Sequence, residues 1–258
     1  MELGIGGLRV MVSAGAAGIG LEIARTFARE GAKVHVCDVD AGAVAALARS
    51  DPALGATVCD VADRAQVARF FEEGLARLGG LDCLVSNAGI AGPTGKVDEI
   101  DPAEWDRCIG IDLTGQFNCV RLAVPHLRRS GNASIMQVSS LAGRLGFALR
   151  TPYAAAKWGV VGLARSLAVE LGPDKIRVNA LLPGIVAGDR QERVLSAKAK
   201  ARGISFEEME KVAFSYTSLK EYVTAEDLAN LVAFVASPRG RMISGQSLSV
   251  CGDTNMLG

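Results

Sequence analysis

Tyr153 and Lys157 are the residues of this chain whose types and spacing most directly indicate chemistry. They lie four positions apart, and Ser140 precedes the tyrosine by thirteen positions. In a helix this spacing places a phenol and an ammonium on one face, where the cation favours the phenolate. Because a free phenol loses its proton only near pH ~10, such a neighbour helps it to transfer protons closer to neutral pH. A serine hydroxyl beside the pair can hold the oxygen of the group that exchanges the proton.

A tyrosine and a lysine at this spacing also occur in helices without a catalytic role, where the lysine stem covers a half-buried face. The chemical interpretation therefore depends on the elements that position the pair. The sequence on both sides contains apolar runs, glycine turns and helical patterns in regular alternation.

The composition indicates one folded domain without a polyanionic partner. Of the 258 residues, 49% are hydrophobic and 30 are glycine, which is typical of a tightly packed α/β protein. Lys plus Arg and Asp plus Glu each number 28, a balance that argues against binding nucleic acid or a membrane surface. No apolar run approaches the ~20 residues that span a bilayer, and the N-terminus does not resemble a signal peptide. We expect a cytoplasmic protein.

The cysteines and histidines predict neither disulfides nor a metal site. None of the six cysteines forms a Cys-x-x-Cys pair, and most lie in apolar runs, as buried thiols do in a reducing compartment. His35 and His126 have no companion ligands nearby.

The first forty residues predict a strand, a glycine turn, a helix and a second strand. The apolar run 8–14 leads into Gly15-Ala16-Ala17-Gly18-Ile19-Gly20, a helical pattern follows over 21–31, and the strand 34–38 ends in Asp38. Glycines let backbone N–H groups approach a phosphate at the positive end of a helix. A carboxylate about 20 residues further on is placed to bind an adenosine ribose. The spacing is not Gly-x-Gly-x-x-Gly, and tight packing alone is the alternative interpretation.

The rest of the chain continues to alternate strands and helices. The predicted strands are 56–59, 81–85, 133–139, 176–182 and 247–250, and the predicted helices are 66–78, 102–129, 152–171 and 224–236. Asp101 is expected to cap the second of these helices, Thr224 to cap the last, and Pro125 to kink or end the long one. This order predicts an α/β fold, a single Rossmann-like doubly wound parallel sheet with helices on both faces. With no linker or repeat, we predict one domain over residues 1–258.

The alternation stops after Pro183-Gly184, where residues of about 187–222 are charged and helical in periodicity. This segment follows the carboxyl end of a strand, where ligands bind in doubly wound sheets. We therefore expect a helical lid over the substrate, with a structural insertion as the alternative. Arg144, Arg150 and Arg190 are candidates to bind a substrate carboxylate.

Five motifs together resemble those of the classical short-chain dehydrogenase/reductase family, from about Leu8 to Gly252. The family's Thr-Gly-x-x-x-Gly-x-Gly turn appears as Ser13-Ala14-Gly15-Ala16-Ala17-Gly18-Ile19-Gly20, and its Asn-Asn-Ala-Gly as Ser86-Asn87-Ala88-Gly89. The catalytic serine matches Ser140, the Tyr-x-x-x-Lys matches Tyr153 and Lys157, and the Pro-Gly matches Pro183-Gly184. Each motif alone is weak, whereas all of them in order at the family's spacing are specific.

The resemblance implies hydride transfer between a substrate carbon and a nicotinamide cofactor. Tyr153 would be the general acid/base, Ser140 would hold the reacting oxygen, and Lys157 would bind the nicotinamide ribose and favour the phenolate. Asp38 resembles NAD-preferring members, because a carboxylate repels a 2′-phosphate, so NAD is the expected cofactor. The expected cofactor contacts are Ser13, Gly15, Ala17, Gly18, Ile19, Gly20, Asp38, Val39, Asp60, Val61, Asn87, Ala88, Gly89, Tyr153, Lys157, Pro183, Gly184 and Ile185. The expected substrate contacts are Ser140, Ala142, Leu149, Tyr153, Gly184 and Arg190.

Three residues depart from the family's pattern. Ala14 replaces the first glycine, and we expect a strand-end conformation that tolerates alanine. Gly188 stands near the place of a threonine that contacts the carboxamide. Asp112 replaces the asparagine that completes the catalytic set. A carboxylate there favours a charged Lys157 and opposes a phenolate at Tyr153, so we hypothesise a working relay with an alkaline-shifted rate profile.

The leading prediction is an NAD-dependent oxidoreductase for a secondary alcohol or its ketone. Sugars, hydroxy acids, cyclic alcohols and acyl thioesters are all open as substrates. One alternative is an NADPH-dependent 3-oxoacyl reductase, which Asp38 argues against. Another is a non-catalytic NAD(H)-binding regulatory protein, which Asp112 favours and the intact serine, tyrosine and lysine oppose. The family implies a homotetramer or homodimer, with interfaces at the helices of Phe117–Leu127 and Val160–Leu171.

Overall fold

The computed structural model describes residues 2–257, which form one seven-stranded parallel sheet between two layers of helices. The strand order is β3-β2-β1-β4-β5-β6-β7. The strands are β1 Arg9–Ser13, β2 Lys33–Asp38, β3 Gly55–Val58, β4 Cys83–Ser86, β5 Ser134–Val138, β6 Arg177–Pro183 and β7 Ser247–Val250. The chain winds outward in opposite directions from β1 and β4, so the switch point lies at the ends of these two strands. The predicted fold class is confirmed.

The helices lie between successive strands, one after each of β1, β2, β3 and β5, two after β4 and three after β6. They are α1 Gly18–Arg29, α2 Ala41–Ser50, α3 Arg64–Leu78, α4 Pro102–Ile109, α5 Gly115–Leu127, α6 Thr151–Leu171, α7 Asp189–Arg202, α8 Phe206–Ser215 and α9 Ala225–Ala236. A π-helical turn, Gly110–Thr114, joins α4 to α5. None of the helices within residues 2–257 combines the length and the apolar character that crossing a membrane requires.

Alternate residues of the buried strands supply the two apolar layers. On β1, Val10 and Val12 pack with Ile23 of α1 on one face of the sheet, whereas Met11 packs with Phe70 of α3 on the other. The first layer also contains buried side chains of α9, and the second contains those of α5 and α6. Because a parallel strand is covered on both faces, both sets of side chains are apolar and the strands read as continuous hydrophobic runs.

Most predicted elements are confirmed to within a few residues, and their ends have identifiable causes. The carboxylate of Asp101 accepts a hydrogen bond from the Ala103 N–H at the start of α4, as predicted. The predicted cap of α9 is confirmed too, since the Thr224 hydroxyl accepts from the Asp227 N–H. The helix that contains Pro125 ends two residues later, at Leu127.

Two local features differ from the prediction. Helix α2 lies in an alanine-rich segment for which no element was predicted, and the side chain of Asp40 caps it by accepting from the Ala43 N–H. The predicted long helix 102–129 is interrupted by the π-helical turn, which adds a residue to the helical repeat and rotates the following helix.

The segment between β6 and β7 is helical, as predicted. Helices α7 and α8 pack against each other around Leu195, Ala199 and Met209, which form a small apolar cluster separate from the two layers of the sheet. A backbone bridge joins Thr217 to Thr254 at the end of this segment, and another joins Phe147 to Leu257.

His35 is a buried polar side chain within the layer that packs on α3. Its Nε2 lies 2.9 Å from the hydroxyl of Thr57, its ring stacks on Phe70 at 5.7 Å, and its Nδ1 has no hydrogen-bond partner among residues 2–257. Burial, with a smaller contribution from the charge of Arg77, lowers the pKa of His35 to about 4. The imidazole is therefore neutral in the folded protein at pH 7.

We expect His35 to make the protein sensitive to mild acid. An unfolded histidine titrates near ~6.5, so between that value and about 4 the unfolded chain binds more protons than the folded one. Stability is complete above about pH 6.5 and falls as the pH drops towards 4, with a loss of about 2 kcal/mol from this residue at pH 5. Urea unfolding of the wild type and of His35→Gln at pH 7 and pH 5 measures the difference.

His126→Gln is the matched control, because that histidine is half-buried and lies on the outer part of α5. The loss between pH 7 and pH 5 should shrink in His35→Gln and persist in His126→Gln. An equal loss in all three proteins would mean that His35 does not control the acid response.

Candidate active site

A cavity of ≈ 630 Å³ opens at the carboxyl ends of the central strands. Ala17 and Asp38 line one end of it, and Phe147 and Arg150 line the other. Ser140, Tyr153 and Lys157 lie between these ends, so the structure brings the three predicted catalytic side chains to one cavity. The position agrees with the rule that ligands bind beyond the carboxyl ends of the strands, at the switch point.

The N-terminus of α1 forms the wall of the cavity beside Asp38. Ala17, in an extended conformation, precedes the helix, and no side chain within residues 2–257 caps it. Gly18 and Ile19 line the cavity. The first backbone N–H groups of a helix have no intrahelical partner and carry partial positive charge, so this end suits a phosphate. The donor set therefore fits the diphosphate of a dinucleotide.

Ala14 adopts a left-handed conformation with φ +50°, so the expected strand-end conformation is wrong. The chain turns sharply here because the first turn of α1 packs directly against the backbone of Ala14. A Cβ on Gly20 would lie 2.1 Å from the carbonyl oxygen of Ala14. A left-handed alanine costs about 1–2 kcal/mol. The Nδ2 of Asn87 donates to the carbonyls of Ser13 and Ala14, at 3.1 Å each, and so holds the strained turn.

Several predicted cofactor contacts build this turn and do not line the cavity. The hydroxyl of Ser13 accepts hydrogen bonds from the N–H groups of Asn87 and Ala88, at 3.0 Å each. A Cβ on Gly15 would lie 2.6 Å from the Cβ of Val36, so the glycine permits close packing of the turn on β2. Of this group, only Asn87 also lines the cavity, together with the nearby Gly89.

The carboxylate of Asp38 is fixed at the end of β2. Its Oδ2 accepts from the Ala16 N–H and its Oδ1 from the Asp40 N–H, both at 3.2 Å. Three other predicted contacts of this end, Val39, Asp60 and Val61, flank the cavity and do not line it. The oxygen of Val61 accepts instead from Asn118, which ties the end of β3 to α5.

Lys157 is buried beside Tyr153 on α6, with 3% of its surface exposed. Its Nζ donates to the carbonyl of Val138 at 3.2 Å and lies 5.6 Å from the centroid of the tyrosine ring. Ser140 follows β5, and its hydroxyl accepts from the Ala142 N–H at 3.1 Å. The end of β5 therefore positions both the serine and the acceptor that fixes the lysine.

Asp112 lies in the π-helical turn and is completely buried. Its Oδ1 accepts from the Ile90 N–H at 2.7 Å, and its Oδ2 lies 3.6 Å from the Nζ of Lys157. That second oxygen has no hydrogen-bond partner among residues 2–257, so the lysine is the group that balances its charge. The carboxylate thus contacts the lysine directly.

The end of the cavity that Phe147 and Arg150 line is apolar and cationic. The guanidinium of Arg150 lies 5.4 Å from the Phe147 ring and 5.5 Å from the Tyr153 ring, and the Nζ of Lys198 lies 4.1 Å from the same phenylalanine. Burial lowers the pKa of Arg150. Burial, with Arg150 and Arg202 nearby, lowers the pKa of Lys198 to about 8.

The predicted substrate contacts are divided between the wall of the cavity and its surroundings. Arg190 lines the cavity and donates to the Gly89 oxygen at 3.1 Å. Ala142 is buried behind the wall, and Leu149, with φ +64°, lies outside it. The candidate Arg144 is exposed to solvent and does not reach the cavity.

Pro183, Gly184 and Ile185, which are expected cofactor contacts, all line the cavity. The glycine is required because a Cβ there would lie 2.7 Å from the Cα of Cys251. The lining residues that sequence reasoning did not name as site residues include Phe147, Leu195, Lys198 and Met209. Leu195, Lys198 and Met209 belong to the segment predicted as a lid, but only the folding of α7 and α8 over the cavity selects these side chains, and Phe147 comes from the loop before α6.

Comparison with known proteins assigns the chain to a family. A family model described as enoyl-(acyl carrier protein) reductase matches residues 14–253. The chain is 35% identical over 245 residues to an uncharacterised short-chain type dehydrogenase/reductase of Sinorhizobium fredii, with 91% of each chain covered. This chain belongs to the short-chain dehydrogenase/reductase family. It is also 38% identical to the cis-4-hydroxycyclohexanecarboxylate dehydrogenase of Sinomonas cyclohexanicum, with 95% of each chain covered.

The fold of this family member is also that of solved structures. The crystal structure of NAD+-bound xylitol dehydrogenase superposes with a TM-score of 0.92, at 23% identity, over 96% of this chain and 99% of the other. As a short-chain dehydrogenase/reductase, the chain is an oxidoreductase of the kind that acts on alcohols or ketones, and a nicotinamide cofactor is typical of the family.

Within residues 2–257 no group of three or more His, Cys, Asp or Glu side chains is arranged to hold a metal ion.

Proposed function

We propose that the chain is an NAD-dependent dehydrogenase of a secondary alcohol, or a reductase of the corresponding ketone. The observation that carries this proposal is the single cavity that joins Asp38, at the end suited to a ribose, to Ser140, Tyr153 and Lys157. The proposed substrates are a sugar, a hydroxy acid or a cyclic alcohol. The Sinomonas relative's name describes a hydroxylated ring with a carboxylate, which combines two of these classes.

The proposed mechanism is proton transfer at an oxygen beside the site of hydride transfer. Tyr153 takes the proton of the substrate hydroxyl during oxidation and returns it during reduction. Ser140 donates a hydrogen bond that holds the same oxygen. Lys157 lies beneath the tyrosine ring, where its positive charge favours the phenolate and its ammonium is near enough to the cavity to bind a ribose hydroxyl. The bound nicotinamide supplies the hydride acceptor or donor.

NAD is the proposed cofactor because Asp38 presents a fixed carboxylate at the ribose end of the cavity. A carboxylate accepts hydrogen bonds from a free 2′-hydroxyl and repels a 2′-phosphate. Neighbouring Ala17 and Val39 offer no cation to bind such a phosphate. The structural similarity to an NAD+-bound xylitol dehydrogenase is consistent with this choice.

Helices α7 and α8 are proposed to act as the substrate lid. Leu195 and Lys198 of α7 and Met209 of α8 line the substrate end of the cavity, together with Phe147. These helices pack mainly on each other, around their own small apolar cluster, so their movement disturbs little of the sheet's core. Lids of this kind exclude water from the reacting groups.

We expect Tyr153→Phe to abolish turnover and to leave NADH binding nearly unchanged. Loss of the acid/base group typically lowers the rate by about 100- to 10,000-fold, whereas the ring keeps its contacts with Phe147 and Arg150. The assay is NADH formation across secondary alcohols, sugars and hydroxy acids, starting with cis-4-hydroxycyclohexanecarboxylate, and NADH affinity is measured by fluorescence titration.

The same assay of the wild type with NADP should give a kcat/KM at least about tenfold lower than with NAD, as expected for repulsion between one carboxylate and the 2′-phosphate.

Tyr216→Phe is the matched control, because this tyrosine lies outside the cavity. Lost NADH binding in Tyr153→Phe would assign the tyrosine a structural role. A preference for NADPH and 3-oxoacyl substrates would favour the reductase alternative. Tight NADH binding without turnover of any substrate would favour a regulatory protein.

We expect Asp112→Asn to move the acid limb of the pH–rate profile to lower pH. The buried carboxylate lies 3.6 Å from Lys157, and removing its charge favours the phenolate of Tyr153, which is the form that accepts the substrate's proton. The quantity compared is the midpoint of the acid limb in the two proteins. Steady-state rates of alcohol oxidation between pH 5.5 and 10 measure it.

Asp106→Asn, a change on the exposed face of α4, should leave the profile where it is in the wild type. A profile of Asp112→Asn that overlies the wild type would remove Asp112 from the proton relay and leave it a purely structural residue.

The proposal includes a homotetramer or homodimer in the cytoplasm. Trp105, Phe117, Trp158 and Val169, on α4, α5 and α6, are large apolar side chains that are exposed in the single chain. Such surfaces commonly mark subunit contacts. Light scattering measures the mass, and a species of 26.9 kDa would contradict the oligomer.

The proposed location in the cytoplasm is supported by the cysteines. All six are free thiols, which is consistent with a reducing compartment.

A further inference from the structure

Arg150 is a charged side chain that the fold buries without balancing its charge. Only 2% of its surface is exposed, and it lies against the rings of Phe147 and Tyr153. One terminal nitrogen, Nη2, donates to the carbonyl oxygen of Ala91. Its Nε has no hydrogen-bond partner, and no carboxylate within residues 2–257 forms an ion pair with it. A guanidinium buried without a counter-charge destabilises the folded protein. A bound anion would supply both the missing charge and an acceptor for the Nε.

The guanidinium lies where a substrate must be bound. Arg150 lines the cavity at the substrate end, and its distance of 5.5 Å from the Tyr153 ring places it beside the acid/base group. Arg190, whose guanidinium lies 6.0 Å from the same ring, also lines this end. A substrate oriented with its hydroxyl at the tyrosine therefore has its other end within reach of two arginines.

A second cavity of ≈ 450 Å³ adjoins the first and continues the cationic surface. Arg150, Arg190 and Arg193 line both cavities, and Arg107 is added in the second. Glu104 is the only acidic side chain among the residues that line this second cavity. Cationic side chains outnumber acidic ones in the lining of both cavities, which raises the local concentration of anions.

We infer that the substrate carries a carboxylate, and that Arg150 binds it while Tyr153 acts on the hydroxyl. This inference rests on the proposed function and narrows its substrates to hydroxy acids and oxo acids. A planar guanidinium matches a carboxylate through two parallel hydrogen bonds, and the buried Nε supplies one of the donors. Arg190 contributes a second positive charge from the lid. Neutral sugars and unsubstituted cyclic alcohols would leave the Nε without a partner and are poor substrates.

The test compares acids with neutral analogues of the same shape. The substrates are cis-4-hydroxycyclohexanecarboxylate and 3-hydroxybutyrate, each against its primary amide, and the proteins are the wild type, Arg150→Met, Arg150→Lys and the control Arg144→Met. Calorimetry adds a reading that needs no turnover: cyclohexanecarboxylate and cyclohexanecarboxamide are titrated into each protein saturated with NADH. Arg144 is a matched control because it belongs to the same loop, is exposed and lies outside the cavity.

We expect the wild type to prefer the acid over the amide, by about 10- to 100-fold in kcat/KM for at least one pair and in affinity for cyclohexanecarboxylate. Arg150→Met should abolish this preference, Arg150→Lys should keep part of it, and Arg144→Met should keep all of it. The ratio of acid to amide is the quantity compared, so a general loss of stability in Arg150→Met does not produce the expected result.

Two results would overturn the inference. One is an equal kcat/KM and affinity of the wild type for every acid and its amide. The other is an equal loss of activity on acid and amide in Arg150→Met, which would make Arg150 a structural support for the Ala91 carbonyl. In either case oxidation of neutral alcohols would leave the proposed function intact. If no alcohol is oxidised, the proposed function fails instead, and the calorimetric preference for the carboxylate alone decides whether Arg150 binds an anion.

Discussion

The buried contact between Lys157 and Asp112 is the interaction on which the candidate site depends. Two opposite charges almost wholly withdrawn from water lie 3.6 Å apart, with exposed fractions of 3% and 0%. Each is also held by the backbone, the lysine by the Val138 carbonyl and the aspartate by the Ile90 N–H. Removing one partner of such a pair typically costs about 3–5 kcal/mol, because the other charge is left buried and uncompensated. Helix α6 is therefore fixed against the π-helical turn and the ends of β4 and β5, and Tyr153 is carried on it.

A second set of constraints fixes the other end of the cavity. Asn87 follows β4 and donates to two successive carbonyls of the turn after β1, while the hydroxyl of Ser13 accepts two N–H groups in return. This reciprocal bonding joins the two strands at which the sheet changes direction. It also explains how a left-handed Ala14 persists, since the four hydrogen bonds of this turn, at about 0.5–1.5 kcal/mol each, together exceed a strain of about 1–2 kcal/mol at one residue. The uncapped start of α1 then faces the cavity as a site for phosphate.

The elements that depend on local patterns could be predicted from the sequence, and those that depend on tertiary packing could not. Alternating apolar runs and helical periodicities identified all seven strands, and Asp101 and Thr224 are caps whose side chains bond to the backbone only a few residues away. The motifs likewise located the serine, tyrosine and lysine. Helix α2 was missed because its alanine-rich segment has a weak apolar face, although the cap at Asp40 was a usable signal.

Other features have no local cause. The π-helical turn forms where Asp112 must reach Lys157, and a pattern of residues four apart does not reveal one extra residue in a helical repeat. The conformation of Ala14 follows from its packing against Gly20 and Asn87. Phe147 and Lys198 come to the site from segments far apart in the chain, and only the folding of α7 over the cavity brings them together.

The distribution of charge along the cavity links these features to function in a way that the composition conceals. The chain as a whole has no net charge, with 28 basic and 28 acidic residues. Within the cavity the carboxylate of Asp38 lies at one end and the guanidinium groups of Arg150 and Arg190 lie at the other, and Asp189 is the other acidic side chain of the lining. The electric field between the two ends orients a ligand that is cationic or neutral at one end and anionic at the other. The low-dielectric walls of the cavity screen this field less than bulk water does. In the proposed function, the same field directs the neutral ribose hydroxyls of NAD to the acidic end and an acid substrate to the basic one. In the same proposal, Tyr153 and Lys157 lie between the two ends, where the carbon that exchanges hydride would lie, so the charges at the two ends would set both the choice of cofactor and the orientation of the substrate.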